Sequence, residues 1–312
     1  MRVSKFMLLI LRSKKKISPK IKEFNKKLSH HLEKMGVVFS FASFEDIELF
    51  MENKKISLFI NGKPLSTWKT IYPRKVGSYR GLAFILASLS KKNKIFFIDR
   101  FHEKIKDSSD AAKLVQMFNF TQNGVPIPKT YCTAIYSQKQ IEAACEFLGF
   151  PIVVKQCNTS QGSGVRLAKN NSELKNAIKD LLGNKNKGDV FLQEFIPNDF
   201  EYRIFVTGNS VGAAEKKIRT KPGEFRNNVF LGAKEEFIDT SKTKKRILAA
   251  ALKASRVSGI QISGVDIVEK NGRPIVLEAN SCPGLTLDEE ISPELKSLAH
   301  YLERCEKNAT MQ

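Results

Sequence analysis

The hydrophobic and polar positions of this chain switch between strand-like and helix-like spacing from its first residues onward. Phe6 to Leu11 is a continuous apolar run of the length typical of a buried strand. It is followed by an apolar stripe at helical spacing from Ile21 to Leu32, which Gly36 can end. A strand followed by a helix predicts the first unit of an α/β fold.

The same alternation continues through the first hundred residues. Further strands are predicted at 37–41, 57–60, 67–72 and 95–99, with a helix at 81–89. The pair Asn61-Gly62 predicts a tight turn. We therefore expect an open parallel sheet with covering helices, forming an N-terminal α/β domain over residues 1–105.

Hairpin signals join the pattern in the rest of the chain. Helices are predicted at 108–123, 137–149, around 174–181, around 247–252 and at 293–308, and strands at 150–156, from 165, at 190–196, 203–207 and 210–215. Gly208-Asn209 lies between the last two of these strands. We predict a central lobe at 106–190 and a C-terminal lobe at 191–312, both α+β.

The strongest hairpin signal lies near the C-terminus. Val265 to Glu269 and Ile275 to Asn280 are rich in β-forming residues and flank Asn271-Gly272. If only these two residues form the loop, Asp266 falls opposite Leu277, which mixes a carboxylate with an apolar side chain.

A three-residue loop that includes Arg273 sorts the side chains better. Asp266 then falls opposite Glu278, and Asn280 lies two residues further along the same face. The other face would carry two apolar pairs, Ile267 with Leu277 and Val265 with Ala279. We predict this loop because it gives one apolar and one acidic face.

The acidic face suggests a metal site. Two carboxylates and an amide oxygen are ligands that suit a hard cation such as magnesium, which retains positions for phosphate. The alternative is a surface hairpin whose charges are solvated, since acidic residues on exposed strands are common.

The composition describes a folded protein with a strong basic excess. The 312 residues are 42% hydrophobic and 9% aromatic, which argues against disorder. The early apolar run is too short to span a membrane and no cleavage site follows it, so we expect a cytoplasmic protein without a membrane partner. The five cysteines form no C-x-x-C pair and are expected to be free thiols.

The formal net charge is +20, and eleven Lys/Arg against two Glu place +9 of it in residues 1–36. Such an excess attracts polyanions, and three fit it: an acidic peptide, nucleic acid or an anionic membrane surface. A generally lysine-rich, solubilising composition explains it equally well.

The order of several short motifs resembles a known family. They are Val-Val-Lys155, Gln161-Gly-Ser-Gly-Val165, Gln193-Glu-Phe-Ile196, Glu201-Tyr-Arg203, Gly223-Glu-Phe-Arg226-Asn-Asn228, Gly264-Val-Asp-Ile267, Leu277-Glu-Ala-Asn280 and Pro283-Gly-Leu285. Together they resemble the ATP-grasp ligases, and most closely the RimK-type glutamate ligases. The likeness extends from about Ser57 to Leu285 and is weak over the first 50 residues. Eight motifs in order are far more specific than any one of them.

The resemblance implies an ATP-grasp fold in which two α+β lobes clasp ATP beside the N-terminal domain. It implies ATP-binding roles for Lys113, Lys155, Gln161, Gly162, Ser163, Gly164, Gln193, Glu194, Phe195, Ile196 and Glu201. Two magnesium ions, or manganese in their place, would be held by Asp266, Glu278 and Asn280.

The resemblance also implies roles for cations near the reacting groups. Arg226, with Asn228 nearby, would stabilise the charge that develops on the transferred phosphoryl group, and Arg203 and Arg74 would bind a substrate carboxylate. Each residue has a plainer reading as well, such as a cross-strand ion pair for Arg203 or an exposed helix lysine for Lys113.

Two stretches depart from the family pattern. Lys216-Lys217 replaces the usual arginine pair, and Phe230 to Ala233 replaces a His-Arg-Gly-Gly stretch. Both lie where acceptor groups would be expected, so substrate identity is less securely implied than ATP use.

The leading hypothesis is an ATP- and magnesium-dependent ligase that adds an amino acid to a peptide, protein-tail or small-molecule acceptor through an acyl-phosphate. Glutamate is the first candidate for that amino acid. A homo-oligomer, dimer or tetramer, is compatible with this hypothesis. One alternative is a D-alanine–D-alanine or glutathione-synthetase-like ligase. Another is a basic nucleic-acid-binding protein that keeps the fold, although basic and aromatic residues are not interleaved as in a stacking platform.

Overall fold

The computed structural model describes residues 7–53, 55–103, 113–157, 164–183, 190–221, 223–227 and 232–310. Within these ranges, sixteen strands form four sheets, and seven α-helices accompany them. The five cysteines all lie in the described part and are free thiols, as predicted.

The N-terminal sheet is parallel and has the order β2-β1-β6-β7. Its elements are β1 (Leu8–Arg12), α1 (Pro19–Lys34), β2 (Phe39–Ser43), β6 (Thr70–Pro73), α2 (Arg80–Lys92) and β7 (Phe96–Phe97). The apolar stripe of α1 buries Phe24, Leu28 and Leu32, as its spacing predicts. The open parallel sheet with covering helices is therefore confirmed.

A small antiparallel sheet extends from this domain. It consists of β3 (Ile47–Glu52), β4 (Lys55–Ile60) and β5 (Lys63–Pro64). Asn61 and Gly62 both have positive φ angles, of 51° and 69°, and make the predicted turn. Strand β3 is not among the predicted elements, because its apolar run, Leu49 to Met51, is only three residues long and is flanked by Glu48 and Glu52.

The central sheet is antiparallel, with the order β10-β9-β11-β8. Its elements are β8 (Thr130–Cys132), α4 (Gln138–Leu148), β9 (Ile152–Gln156), β10 (Val165–Ala168), α5 (Asn171–Leu182) and β11 (Val190–Glu194). The preceding helix, α3 (Lys113–Gln122), packs Met117 and Phe120 into the core of the C-terminal sheet. Buried side chains of α4 and α5, among them Ile141 and Leu174, pack on Val154 and Leu192 of the sheet. This packing covers one face of the sheet.

The C-terminal sheet is antiparallel, with the order β14-β13-β12-β15-β16. Its elements are β12 (Phe200–Thr207), β13 (Ser210–Ile218), β14 (Lys234–Ile238), α6 (Lys245–Ser258), β15 (Ile262–Lys270) and β16 (Arg273–Asn280), followed by α7 (Glu294–Thr310). One apolar core joins Leu8 of β1, Leu28 of α1, Phe205 of β12 and Leu298 of α7. The N-terminal sheet therefore packs against the C-terminal sheet, while the division into domains at 105 and 190 stays a prediction.

The hairpin between β15 and β16 corrects the predicted loop. Asn271 and Gly272 both have positive φ, of 50° and 72°, and Lys270 pairs with Arg273. The loop is thus the two-residue type, because left-handed conformations at both positions match the twist of the flanking strands. The predicted three-residue loop is wrong.

The predicted pairing at the acidic end nevertheless holds. Ile267 pairs with Val276 and not with Leu277, yet Asp266 pairs with Glu278, because the register shifts between Asp266 and Ile267. Leu277 is the extra residue of this β-bulge. A bulge, and not a longer loop, brings the two carboxylates opposite each other.

Of the helices in the described ranges, none combines the length and the apolarity needed to cross a bilayer.

Candidate functional site

A row of charged side chains crosses four strands of the C-terminal sheet. Arg203 on β12 lies opposite Glu215 on β13 and opposite Asp266 on β15, and Asp266 lies opposite Glu278 on β16. We call these four residues the charge row. Strand pairing alone therefore gathers one cation and three carboxylates, which are distant in sequence, on one face of the sheet.

Asp266 is the buried centre of the charge row. Its side chain is only 6% exposed, and Arg203 donates from Nε and Nη2 to its two carboxylate oxygens at 2.7 Å each. Lys217 Nζ lies 3.5 Å from Asp266 Oδ1. Burial alone would raise the pKa of Asp266, but the charges of Arg203 and Lys217 outweigh it and hold that pKa well below its usual value.

Glu278 is the end of the charge row next to α3. Lys113, the first residue of α3, places its Nζ 3.1 Å from Glu278 Oε2. Asn280 Nδ2 donates to Glu278 Oε1 at 2.8 Å and to Asp266 Oδ2 at 3.4 Å. Burial and the charge of Asp266 would raise the pKa of Glu278, but Lys113, Asn280 and Lys155 lower it below the usual value. The three predicted metal ligands therefore do converge.

This donor set fits a magnesium ion. Two carboxylates and an amide group face one another, and cationic side chains neutralise the carboxylates in this structure. No group of three or more His, Cys, Asp or Glu side chains that could hold a metal is found in the described ranges. An ion at Asp266 and Glu278 would therefore complete its coordination with phosphate oxygens and water, as magnesium commonly does.

Lys155 faces the same region from β9. Burial lowers its pKa to about 8, although Glu278 counteracts that shift and favours the charged form. Lys113 has the opposite effect on Lys155, since two cations in one region disfavour each other's charge. Lys155 of the central sheet and Lys113 of α3 thus both lie near the acidic hairpin of the C-terminal sheet.

The predicted adenine-binding stretch lies at the end of β11. Gln193 is 1% exposed and donates from Nε2 to Thr130 Oγ1 at 2.9 Å. Glu194 accepts from the Lys129 backbone N–H at 3.0 Å and pairs with Lys270. Burial would raise the pKa of Glu194, but Lys270 lowers it below the usual value. This ion pair ties the central sheet to the tip of the β15–β16 hairpin.

The two following residues continue the connection between the sheets. Phe195 donates its backbone N–H to Pro151 O at 3.1 Å, and its ring meets Phe225 edge to face at 6.4 Å. Ile196 is buried, and its carbonyl accepts from Asn198 Nδ2 at 2.8 Å.

Glu201 lies on β12 opposite Lys217. Burial, together with the negative charge of Asp266, raises its pKa above the usual value. It therefore lies beside the charge row and not at a solvated strand end.

Arg226 lies in a local ion pair. Its Nε and Nη2 donate to the two carboxylate oxygens of Glu224 at 2.8 and 2.7 Å. This pairing holds the pKa of Glu224 at about 2. The structure thus shows Arg226 in an ion pair with a residue of its own segment, and its role toward phosphate stays a prediction.

The predicted residues Gln161, Gly162, Ser163 and Asn228 lie outside the described residues. Gly164 lies next to β10, where its carbonyl accepts from the Gln156 N–H at 2.9 Å.

Arg74 reaches the loop that follows the acidic hairpin. Its Nη2 donates to Pro283 O at 2.6 Å, and its Nη1 lies 3.5 Å from Cys282 Sγ. Pro283 in turn packs on Gly264, where an added Cβ would lie 2.8 Å from the Pro283 Cβ. Gly264 pairs with Asn280, so this close contact brings the N-terminal domain next to the predicted metal ligands.

Lys217 is the residue whose position sequence reasoning missed. It is 3% exposed and lies near Asp266, whereas the sequence marks it only as a departure from an arginine pair. Glu215, two residues earlier on β13, is equally buried, and burial raises its pKa to about 8. The sequence does carry a signal for this position, because Glu215 and Lys217 are two residues apart and therefore lie on the same face of a strand.

Comparison with known proteins gives a consistent result. The family model described as the RimK-like ATP-grasp domain matches residues 108–296. A curated relative named probable alpha-L-glutamate ligase, from Vibrio atlanticus (strain LGP32), is 30% identical over 242 residues, which cover 77% of this chain and 76% of that protein.

Solved structures share the fold along nearly the whole chain. The ATP-grasp ligase PsnB complexed with its minimal precursor has a TM-score of 0.69 at 14% identity, covering 96% of this chain and 99% of that one. D-alanine–D-alanine ligase from Bacillus anthracis complexed with ATP has a TM-score of 0.64 at 15% identity, covering 98% and 97%. At such low identity these likenesses concern the fold alone.

Proposed function

Because the chain belongs to the RimK-like ATP-grasp family of ligases that form C–N bonds, we propose that it joins the amino group of glutamate to a carboxylate of a peptide, protein tail or small molecule. ATP would be cleaved to ADP and phosphate in the process. The observation that carries the proposal is the convergence of Asp266, Glu278 and Asn280 with Lys113.

The reaction explains why such a site is needed. An oxygen of the acceptor carboxylate attacks the γ-phosphorus of ATP, the bond to the β–γ bridging oxygen breaks, and ADP leaves. The amine nitrogen then attacks the acyl carbon, phosphate leaves and the nitrogen loses a proton. Both reactants of the first step are anions, so the protein has to bring them together and neutralise them.

The acidic hairpin would hold the metal. Asp266, Glu278 and Asn280 would be the ligands for two magnesium ions, with manganese as a substitute. When bound, these ions would neutralise phosphate charge and orient the phosphoryl group for in-line transfer. Lys113 and Lys155 would bind phosphate oxygens as compact cations beside the metal ligands.

The remaining predicted residues would serve the nucleotide and the developing charge. The glycine-containing segment 161–164 would close over the phosphates, the backbone of 193–196 would meet adenine, and Glu201 would bind a ribose hydroxyl. Arg226 and Asn228 stabilise developing charge. Arg203 uses two hydrogen bonds for Asp266 out of its five N–H donors, so it can serve a substrate carboxylate without leaving Asp266.

The test is a product assay with a panel of amino acids and carboxylate acceptors. We expect ADP and phosphate, and we expect Asp266→Asn and Glu278→Gln to reduce turnover by about a hundredfold or more, as loss of charge stabilisation at a reacting phosphate does. Circular dichroism should show that both variants fold. AMP and pyrophosphate as products would contradict the acyl-phosphate route, and ordinary turnover in both variants would contradict the metal assignment.

A further inference from the structure

We propose that Arg12 and Arg74 together form the binding site for the carboxylates of the incoming amino acid. Arg74 is expected to bind a carboxylate on the sequence motif alone, whereas Arg12 enters only through the structure. This inference rests on the proposed ligase function and names where that function recognises a dicarboxylic amino acid.

The two arginines leave the N-terminal sheet side by side. Leu11 of β1 pairs in parallel with Pro73 of β6, so Arg12 and Arg74 are the next residues on adjacent strands. Both therefore lie at the carboxyl ends of parallel strands. Open α/β sheets bind their ligands at this edge.

Both side chains then rest on the same part of α1. The guanidinium carbon of Arg74 lies 5.4 Å from the Phe24 ring centroid. With the Asn25 amide oriented to satisfy both side chains, its oxygen accepts from Arg12 Nη1 at 2.6 Å and Nη2 at 3.2 Å. Arg12 also lies 5.0 Å from the Phe41 ring centroid. Aromatic and amide contacts thus hold both guanidinium groups in place without neutralising them.

Neither arginine is paired with a carboxylate within the described ranges. Arg203 and Arg226, by contrast, are each bound by an acidic side chain at two points. Asn25 uses one N–H on each of Arg12 Nη1 and Nη2, and Arg12 Nε is buried, so the second N–H on each terminal nitrogen is left for a carboxylate oxygen. Arg74 likewise has N–H groups beyond those that contact Cys282 and Pro283.

The arginine pair lies close to the predicted metal ligands. Arg74 donates to Pro283 O, and Pro283 packs on Gly264, which pairs with Asn280. A molecule bound by the arginines is therefore within one loop of the acidic hairpin.

The chemistry requires such a site. The incoming amino acid has to present its amine to the acyl-phosphate while its own carboxylates stay out of the phosphoryl-transfer position. Glutamate carries two carboxylates, and two arginines at the domain edge can bind both. The pair would therefore favour a dicarboxylic amino acid over its neutral amide.

The experiment compares Arg12→Gln with Arg12→Lys and with the control Lys16→Gln, which removes an exposed charge from the segment after β1. We expect Arg12→Gln to raise KM for glutamate by roughly tenfold to a hundredfold, the range for losing charge-assisted hydrogen bonds. Its KM for ATP should stay unchanged, and its preference for glutamate over glutamine should shrink. All variants are assayed with a short acceptor; Arg12→Lys should be intermediate, and Lys16→Gln should keep the KM for glutamate of the natural chain.

The outcomes separate this inference from the proposed function. If the natural chain ligates no amino acid, the proposed function fails, and the inference fails with it. If the natural chain ligates glutamate and Arg12→Gln keeps the same KM and the same glutamate preference, only the inference is overturned. If Arg12→Gln does not fold, Arg12→Lys decides, and an unchanged KM for glutamate in that variant would overturn the proposal.

Discussion

At the scale of single residues, burial and neighbouring charge decide which side chains of the candidate site are ionised. Asp266 and Glu278 stay ionised because cations outweigh the effect of burial on their pKa values. Burial raises the pKa of Glu215 to about 8, because the carboxylates of Glu294 and Glu235 oppose the effect of Lys217 and Arg203 there. Side chains of one type, on one sheet face, thus differ in charge at neutral pH, and the ionised pair is the one placed for a cation.

Lys155 leads to a prediction about pH. Because its pKa is about 8, the lysine loses its positive charge as pH rises through that value, well below the pH at which an exposed lysine does so. We expect kcat/KM for ATP to fall above pH 8, by up to about tenfold per pH unit as a single essential cation is lost. The measurement is kcat/KM for ATP from pH 7 to pH 10.

Two variants test whether Lys155 is the group responsible. Lys155→Arg keeps its charge throughout this range, so the fall should move to higher pH even if affinity is reduced. Lys155→Gln should have a low kcat/KM that varies little with pH. A fall near pH 8 that persists in Lys155→Gln would assign it to another group.

At the scale of elements, the β15–β16 hairpin depends on two local features. Left-handed Asn271 and Gly272 make a two-residue loop, and the bulge at Leu277 returns the register to the pairing of Asp266 with Glu278. Gly264 at the other end allows the following loop to lie directly on the strand. The hairpin therefore fixes both the carboxylates and the contact with the N-terminal domain.

Gly264 gives a prediction with a matched control, Gly284, in the loop that packs on it. In Gly264→Ala the new Cβ would lie 2.8 Å from the Pro283 Cβ, and a proline ring cannot swing aside, so we expect a loss of about 1–3 kcal/mol in the free energy of unfolding. An added Cβ at Gly284 meets no atom within 4 Å, so Gly284→Ala should change stability little. Chemical denaturation measures both.

Because Arg74 is hydrogen bonded to Pro283, Gly264→Ala should also weaken binding of the amino acid more than Gly284→Ala does. Equal stability of the two alanine variants would show that the loop moves away from the strand at little cost.

At the scale of the whole molecule, charge is distributed unevenly. The net charge is +20, but three cations of the candidate site, Lys113, Arg203 and Lys217, are paired with carboxylates. The unpaired excess lies elsewhere, and residues 1–36 hold much of it. Lys14 and Lys16 are exposed in the segment that follows β1, at the same edge of the sheet as Arg12.

This distribution predicts a salt effect that depends on the acceptor. If the acceptor is an acidic tail or a growing oligoglutamate, the basic surface raises its local concentration, and salt weakens that attraction as the Debye length falls from about 10 Å at 0.1 M to about 3 Å at 1 M. KM should rise more steeply with salt for a long acidic acceptor than for a short one. The measurement is KM against ionic strength with ATP saturating.

Charge reversal at Lys14 and Lys16 should reduce the difference between the two salt slopes. Lys15 is left intact because it pairs with Asp46 at 2.7 Å. Equal slopes for long and short acceptors in the natural chain would remove the acidic-acceptor explanation of the charge.

The sequence by itself determined the order of strands and helices in the parallel N-terminal sheet and its covering helices, the position of the acidic hairpin and the family. Periodicity of two or 3.6 residues reports which side chains share a face, and Asn-Gly reports a tight turn, because both depend on short-range backbone sterics. The convergence of Asp266 with Glu278 was predicted correctly, although from the wrong loop: a bulge, invisible to a count of residues, supplied the missing shift.

Only the tertiary structure decided which of the faces meet. Arg203 binds Asp266, and Lys217 is buried beside them, because β12 lies between β13 and β15. Arg74 contacts Pro283 because the N-terminal sheet packs against the C-terminal part of the chain. The pairing of Arg12 with Arg74 depends likewise on β1 lying beside β6. These contacts join residues some 50 to 200 positions apart. Burial of apolar surface over the whole chain selects them, and no local pattern encodes that selection.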